Sequence, residues 1–120
     1  MNQCEKGRRA EKVAAQYLRA RGYRIWKSNW RWGRRELDLV ALHGNELVVV
    51  EVKARLGNEV NHPSEVVDGL KQRNIILATD AFIRLYDCRR PTRFDVIAVS
   101  YQEGGEEIEH IENAFFPGVE

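Results

Sequence analysis

Residues 36–53, ELDLVALHGNELVVVEVK, read as two β-rich runs joined at Gly44-Asn45. Gly-Asn is a favoured pair for a two-residue hairpin loop with glycine at the first central position. Taken literally, that turn sets His43 opposite Glu46, and continuing the ladder sets Asp38 opposite Glu51 and Glu36 opposite Lys53. Side chains alternate along a strand, so Glu36, Asp38, Glu51 and Lys53 are expected on one face. Leu37, Leu39, Val48, Val50 and Val52 then fall on the other.

Two carboxylates facing each other across a ladder repel, and burying them unpaired is costly. A hard divalent cation resolves that conflict, because Mg²⁺ takes one or two carboxylates, a carbonyl and several waters. The Val52 backbone carbonyl is a candidate third ligand, and Lys53 reaches the same place to orient or help deprotonate a water. A cation beside phosphate, an activated water and a lysine suit phosphodiester hydrolysis. The alternative is a plain Glu36–Lys53 ion pair with Asp38 and Glu51 turned to water. Val40, Leu47 and Val49 share the face, so it is partly covered and the carboxylates are harder to explain as solvated.

Outward from the hairpin, Ala10, Val13, Ala14, Tyr17 and Leu18 recur at helical spacing over residues 7–21, and Gly22 sits where such a helix stops. Tyr23 to Trp26 reads as a short strand and Asn29 to Arg35 as a loop rich in Trp and Arg. Ser64 is a candidate cap for a helix running to about Tyr86, with Val67, Leu70, Leu77, Ala78, Ala81 and Leu85 as its apolar stripe. Pro91 falls in a loop. Strands over 94–99 and about 108–111, separated by Gly104-Gly105, complete the order α-β-β-β-α-β-β of an α/β domain.

With 120 residues, 43% hydrophobic and 31% charged, the chain suits one folded domain spanning 1–120 and argues against disorder. No apolar run approaches the ~20 residues of a membrane-spanning helix, and the charged N-terminus lacks the apolar core of a secretory signal. Cys4 and Cys88 are too few for a disulfide scaffold, so a cytoplasmic setting is expected. The net charge of +1 conceals a gradient: residues 1–35 carry eleven Lys/Arg against two Glu, while residues 101–120 carry six Glu and no Lys or Arg. Fourteen Arg against five Lys favours two-pronged contacts to phosphate oxygens. A basic front therefore permits a phosphate-rich partner.

The segments GRRAEKVA (7–14), ELDLV (36–40), VVVEVKAR (48–55), RFDVIAV (93–99) and HIENAF (110–115) resemble the YraN-like family of small bacterial proteins. That family is in turn similar to the PD-(D/E)XK nucleases, near the archaeal Holliday-junction resolvases. The resemblance implies a restriction-endonuclease-like three-layer core, with a mixed central sheet flanked by helices. It implies metal-binding roles for Asp38 and Glu51, a catalytic lysine at Lys53, and Glu11 as an acidic residue brought toward the metal from the first helix. Glu36 matches a family glutamate and is expected at the rim. Arg35 stands where the family has Gly, and Leu37 stands where many members have Pro.

The expectation is a Mg²⁺- or Mn²⁺-dependent endonuclease acting on branched or single-stranded DNA in preference to RNA. Arg8, Arg9, Arg31, Arg34, Arg35 and Lys71 are the expected phosphate contacts, with Trp30 and Trp32 either stacking on bases or packed as a lid. Relatives of the resolvase type add a homodimer by analogy. Two other readings are a non-catalytic nucleic-acid-binding module of the same fold and a protein-interaction domain using the acidic tail. His43, His62 and His110 show no zinc-ligand spacing.

Overall fold

The computed structural model describes residues 2–56 and 67–117. The chain runs through α1 (Gln3–Ala20), β1 (Arg24–Trp32), β2 (Arg35–His43), β3 (Glu46–Leu56), α2 (Gly69–Tyr86), β4 (Thr92–Gln102) and β5 (Gly105–Phe115). The order α-β-β-β-α-β-β is the expected one. The five strands lie in sequence order in one mixed sheet, with only β3 and β4 parallel. That one parallel pair needs a crossover, and α2 supplies it.

A helix covers each face. Ala10, Ala14 and Leu18 of α1 pack on Leu39, Ala41, Val48, Val50, Ile97 and Val99. Ile75, Ala78 and Phe82 of α2 pack on Leu37, Val40, Leu47, Val49, Phe94 and Val96. Among the described residues no helix is long and apolar enough to cross a membrane.

The Gly44-Asn45 turn forms as read, with Gly44 at φ 57° and His43 facing Glu46. The ladder then follows the expected register as far as Leu39 opposite Val50, where it ends. Three expectations need correction. Residues 29–35 are not a loop: β1 continues to Trp32, the turn is confined to Gly33-Arg34, and β2 begins at Arg35. A bulge between Ile25 and Lys27 and a left-handed Asn29, φ 51°, break the alternation that would have revealed this strand. The second helix starts at Gly69, capped by Asp68, whose carboxylate accepts the Lys71 N–H at 2.8 Å; Ser64 lies outside the described residues. The last two strands are also longer than the apolar runs suggested.

One charged cluster sits inside the α1 layer. Asp95, fully buried, accepts two bonds from Arg93, from Nε and Nη2, both at 2.9 Å, and one from the Asn113 N–H at 3.1 Å. His110 Nε2 lies 2.7 Å from Asp95 Oδ2 and its Nδ1 lies 3.2 Å from the Tyr17 hydroxyl. Because an ionised carboxylate only accepts, Nε2 carries the proton and, in a neutral ring, Nδ1 accepts from Tyr17. Arg93 also donates to the Tyr23 hydroxyl at 2.6 Å and to Glu46 at 3.0 Å. The cluster thus ties β4 and β5 to the α1–β1 corner.

Burial alone would raise the Asp95 pKa, yet the bonds from His110, Arg93 and Asn113 outweigh it and hold the carboxyl below its usual range. A depressed acid pKa contributes stability that is present above the unfolded value, about 3.9, and is lost as pH falls through the folded one. Asp95→Ala leaves Arg93 buried without its main partner and is expected to cost about 3–5 kcal/mol in urea unfolding at neutral pH. The variant should also lose part of the wild type's destabilisation in acid. An unchanged urea midpoint would contradict the assignment.

Candidate active site

The site forms where β2 and β3 part. Beyond Leu39 opposite Val50 the ladder stops, and the Asp38 carboxylate takes over, accepting the Val52 N–H at 2.9 Å. In a strand the N–H and C=O of one residue point to the same side, so the Val52 carbonyl faces this opening as well. The side-chain alternation slips at the same level. Leu37 packs with Val40 and Val49 under α2, whereas strict alternation would place it with Leu39 under α1. Asn29 lies beside Asp38 in the gap between the pairs Ser28–Leu39 and Trp30–Leu37.

The expected single face for Glu36, Asp38, Glu51 and Lys53 is corrected accordingly. Glu36 pairs with Arg31 across β1–β2 at 3.2 Å, not with Lys53. Glu51 keeps the α2 side, where Lys71 Nζ lies 3.3 Å and Lys53 Nζ 3.9 Å from its Oε2. Asp38 bridges toward the α1 side, where its charge and that of Glu36 act on Glu11. The slip in alternation therefore gathers groups from both helices at one end of the sheet.

Electrostatics follow from that crowding. Glu51 is only 4% exposed, and its pKa is pushed up to about 8 by burial, by the Asp38 charge and by a hydrogen bond to the Asp38 carboxyl, against the pull of Lys71 and Lys53. A bond between two carboxyls needs a proton, and near neutrality Glu51 keeps its own. Glu11 is raised by burial, partly offset by its hydrogen bond to Asn29, and raised further by Asp38 and Glu36. Burial works against the Lys71 charge, but attraction to Glu51 prevails and raises its pKa.

The other expected residues divide. Arg8 lies on the exposed face of α1 beside Glu11, while Arg9 faces β5 and pairs with Glu106 at 2.7 Å. Arg31 is engaged by Glu36, Arg34 is exposed in the turn, and Arg35 donates to Asn74 of α2 at 3.3 Å. Trp30 packs edge-on to Phe82, 5.2 Å between ring centroids, and so serves the core, whereas Trp32 is 47% exposed. Among the described residues no three His, Cys, Asp or Glu side chains are grouped as a metal cage. The sequence placed Asn29 only at the start of a loop. Its signal was an asparagine amid strand-forming residues, a type that tolerates φ > 0.

Residues 10–99 match the uncharacterised protein family UPF0102. The chain belongs to that family. It is 43% identical to a UPF0102 protein of Phocaeicola vulgatus, over 96% of this chain and 95% of the relative. A UPF0102 protein of Porphyromonas gingivalis is 46% identical over 92% and 84%, and one of Chlorobium chlorochromatii 43% identical over 94% and 92%. In this UPF0102 chain, Asp38, Glu51 and Lys53 all lie within the matched span.

The raised Glu51 pKa has a definite sign. The folded chain keeps a proton that the unfolded chain has lost, so stability falls as pH rises from about 4.5 to about 8 and levels off above. Glu51→Gln removes that slope and is expected to stabilise the protein by about 2–4 kcal/mol at pH above 8. Thermal melts across this range check it, and parallel wild-type and variant curves would refute it.

Proposed function

We propose that this chain is a divalent-metal-dependent endonuclease that hydrolyses phosphodiester bonds in DNA. The observation that carries the reading is the Asp38–Glu51 carboxyl pair, Glu51 buried and Asp38 half-buried, flanked by two lysines where the β2–β3 ladder opens. A purely structural site would gain from replacing such a pair, because buried charge without full compensation is costly. The resemblance to PD-(D/E)XK nucleases over the same residues supports the reading.

The donor set fits Mg²⁺ or Mn²⁺. Asp38, Glu51 and the Val52 carbonyl would hold the ion, a set matching the small number of protein ligands that Mg²⁺ takes beside its waters. When bound, the ion supplies Lewis acidity and concentrated positive charge at the phosphate.

The chain's own groups do the rest. Lys53 stands beside Glu51, where its ammonium can orient the attacking water and offset charge at the phosphate. Lys71 offers a second cation to a phosphate oxygen. Glu11, with its affinity for a proton raised by burial and its acidic neighbours, borders the same space from α1. Arg8 and Arg34 extend positive charge beyond the centre.

Cleavage of labelled single-stranded, duplex, flap and four-way-junction DNA with Mg²⁺ or Mn²⁺ tests the proposal. Asp38→Asn and Glu51→Gln should each lower the rate by about two to three orders of magnitude while the proteins stay folded. Lys53→Ala should lower turnover about 100-fold with little change in metal affinity. Cleavage that survives in both carboxylate variants would overturn the site. Salt-sensitive binding without cleavage under either metal would favour the non-catalytic binding module.

A further inference from the structure

A second concavity adjoins the carboxylates. Between α1 and the β1–β2 hairpin lies a groove of about 360 Å³, within the ~300–1,000 Å³ range of ligand sites. Its floor is apolar, formed by Ala15 and Leu39, 7% and 1% exposed. One wall is cationic. Arg8, Lys12 and Arg19 project from a single face of α1 and span about 16 Å of its axis. Among the described residues, none of the three has an ion-pair partner within 4 Å. Arg9, on the α1 flank that faces β5, is by contrast neutralised by Glu106. The helix thus leaves uncompensated the charge that borders the groove.

The remaining lining is polar without cationic charge. Ser28 and Asn29 of β1 and Gln16 of α1 offer hydroxyl and amide groups. Neighbouring strand residues normally point to opposite faces, yet Ser28 and Asn29 both line this groove, because Asn29 adopts φ 51°. Asn29 in its lining stands opposite Asp38, between the pairs Ser28–Leu39 and Trp30–Leu37, so the groove borders the proposed catalytic centre.

A wall of three cations and one carboxylate, Glu11, uncharged donors and acceptors on the other wall, and an apolar floor form a lining that suits a nucleotide. Phosphates follow the cations, a base edge meets the amides and hydroxyl, and the flat face of the base rests on the floor. In a duplex the base edge is paired and both faces are stacked, so only an unpaired or extruded base can enter a concavity of this kind.

We propose that the α1–β1 groove is a subsite for one unpaired nucleotide next to the scissile phosphate, selecting single-stranded or locally unpaired polynucleotide. The inference rests on the nuclease reading for its substrate class and on the groove's own lining for the subsite.

Fluorescence anisotropy of the full chain with a labelled single-stranded oligonucleotide and with its duplex, in Ca²⁺, tests it. The single strand should bind about ten-fold more tightly, the scale of one stacked base. Ser28→Glu, and separately Gln16→Glu, place a carboxylate in the groove from exposed positions, where it repels an entering nucleotide, and should bring that ratio to about one. A wild-type ratio near one overturns the subsite but leaves the nuclease reading standing. So does a preference that neither variant lowers when both melt as the wild type does. Binding of neither form, together with absent cleavage, overturns both. A free mononucleotide that competes as well as the oligonucleotide overturns the polynucleotide subsite in favour of a pocket for free nucleotides.

Discussion

Asp38 and Glu51 are two carboxyl groups in contact at a break in a sheet, and most features of the site follow from what is needed to keep them there. Glu51 is buried, so it cannot relieve the repulsion by turning to water. Glu51 instead keeps a proton, Lys71 of α2 and Lys53 of the same strand close on it, and Asp38 is anchored on the Val52 N–H. That last bond replaces a rung of the ladder. Opening the ladder costs backbone pairing but frees the Val52 carbonyl beside the two carboxyls, which a continuous sheet would not allow.

A second buried acid, in the α1 layer, is handled differently. Around Asp95 each acceptor finds a donor: Arg93 grips it with two bonds, and His110 and the Asn113 N–H supply the others. The result is a lowered pKa at Asp95 and a raised one at Glu51, both in the same small sheet. A satisfied network stabilises and fixes geometry, whereas a conflicted one stores readiness to bind a cation. The contrast separates the structural acid from the candidate functional one better than burial does, since both are buried.

Much of this was legible in the sequence. Gly44-Asn45 set the β2–β3 register, helical spacing located α1, and the meander and its order followed. The carboxylates and Lys53 were found from that register, although they meet for a different reason than the one inferred. Strict alternation predicted a common face, and the sheet instead breaks alternation at Asn29 and Asp38 and closes the gap with a side chain. Such slips depend on one left-handed residue and one side-chain-to-backbone bond, which no period in the sequence encodes. The same slips, with the bulge near Trp26, made the second half of β1 look like a loop. The Arg93–Asp95–His110 network was similarly hidden, because its members lie on strands whose pairing joins residues far apart in the chain.

A divalent cation bound by Asp38 and Glu51 would have to displace the proton that Glu51 keeps near neutrality. Calorimetric titration with Mn²⁺ at neutral pH, repeated in buffers of different ionisation enthalpy, tests it most directly. Binding should release about one proton per ion, and Glu51→Gln should abolish both the binding and the release. Binding without proton release, or binding that survives in Glu51→Gln, would contradict the account.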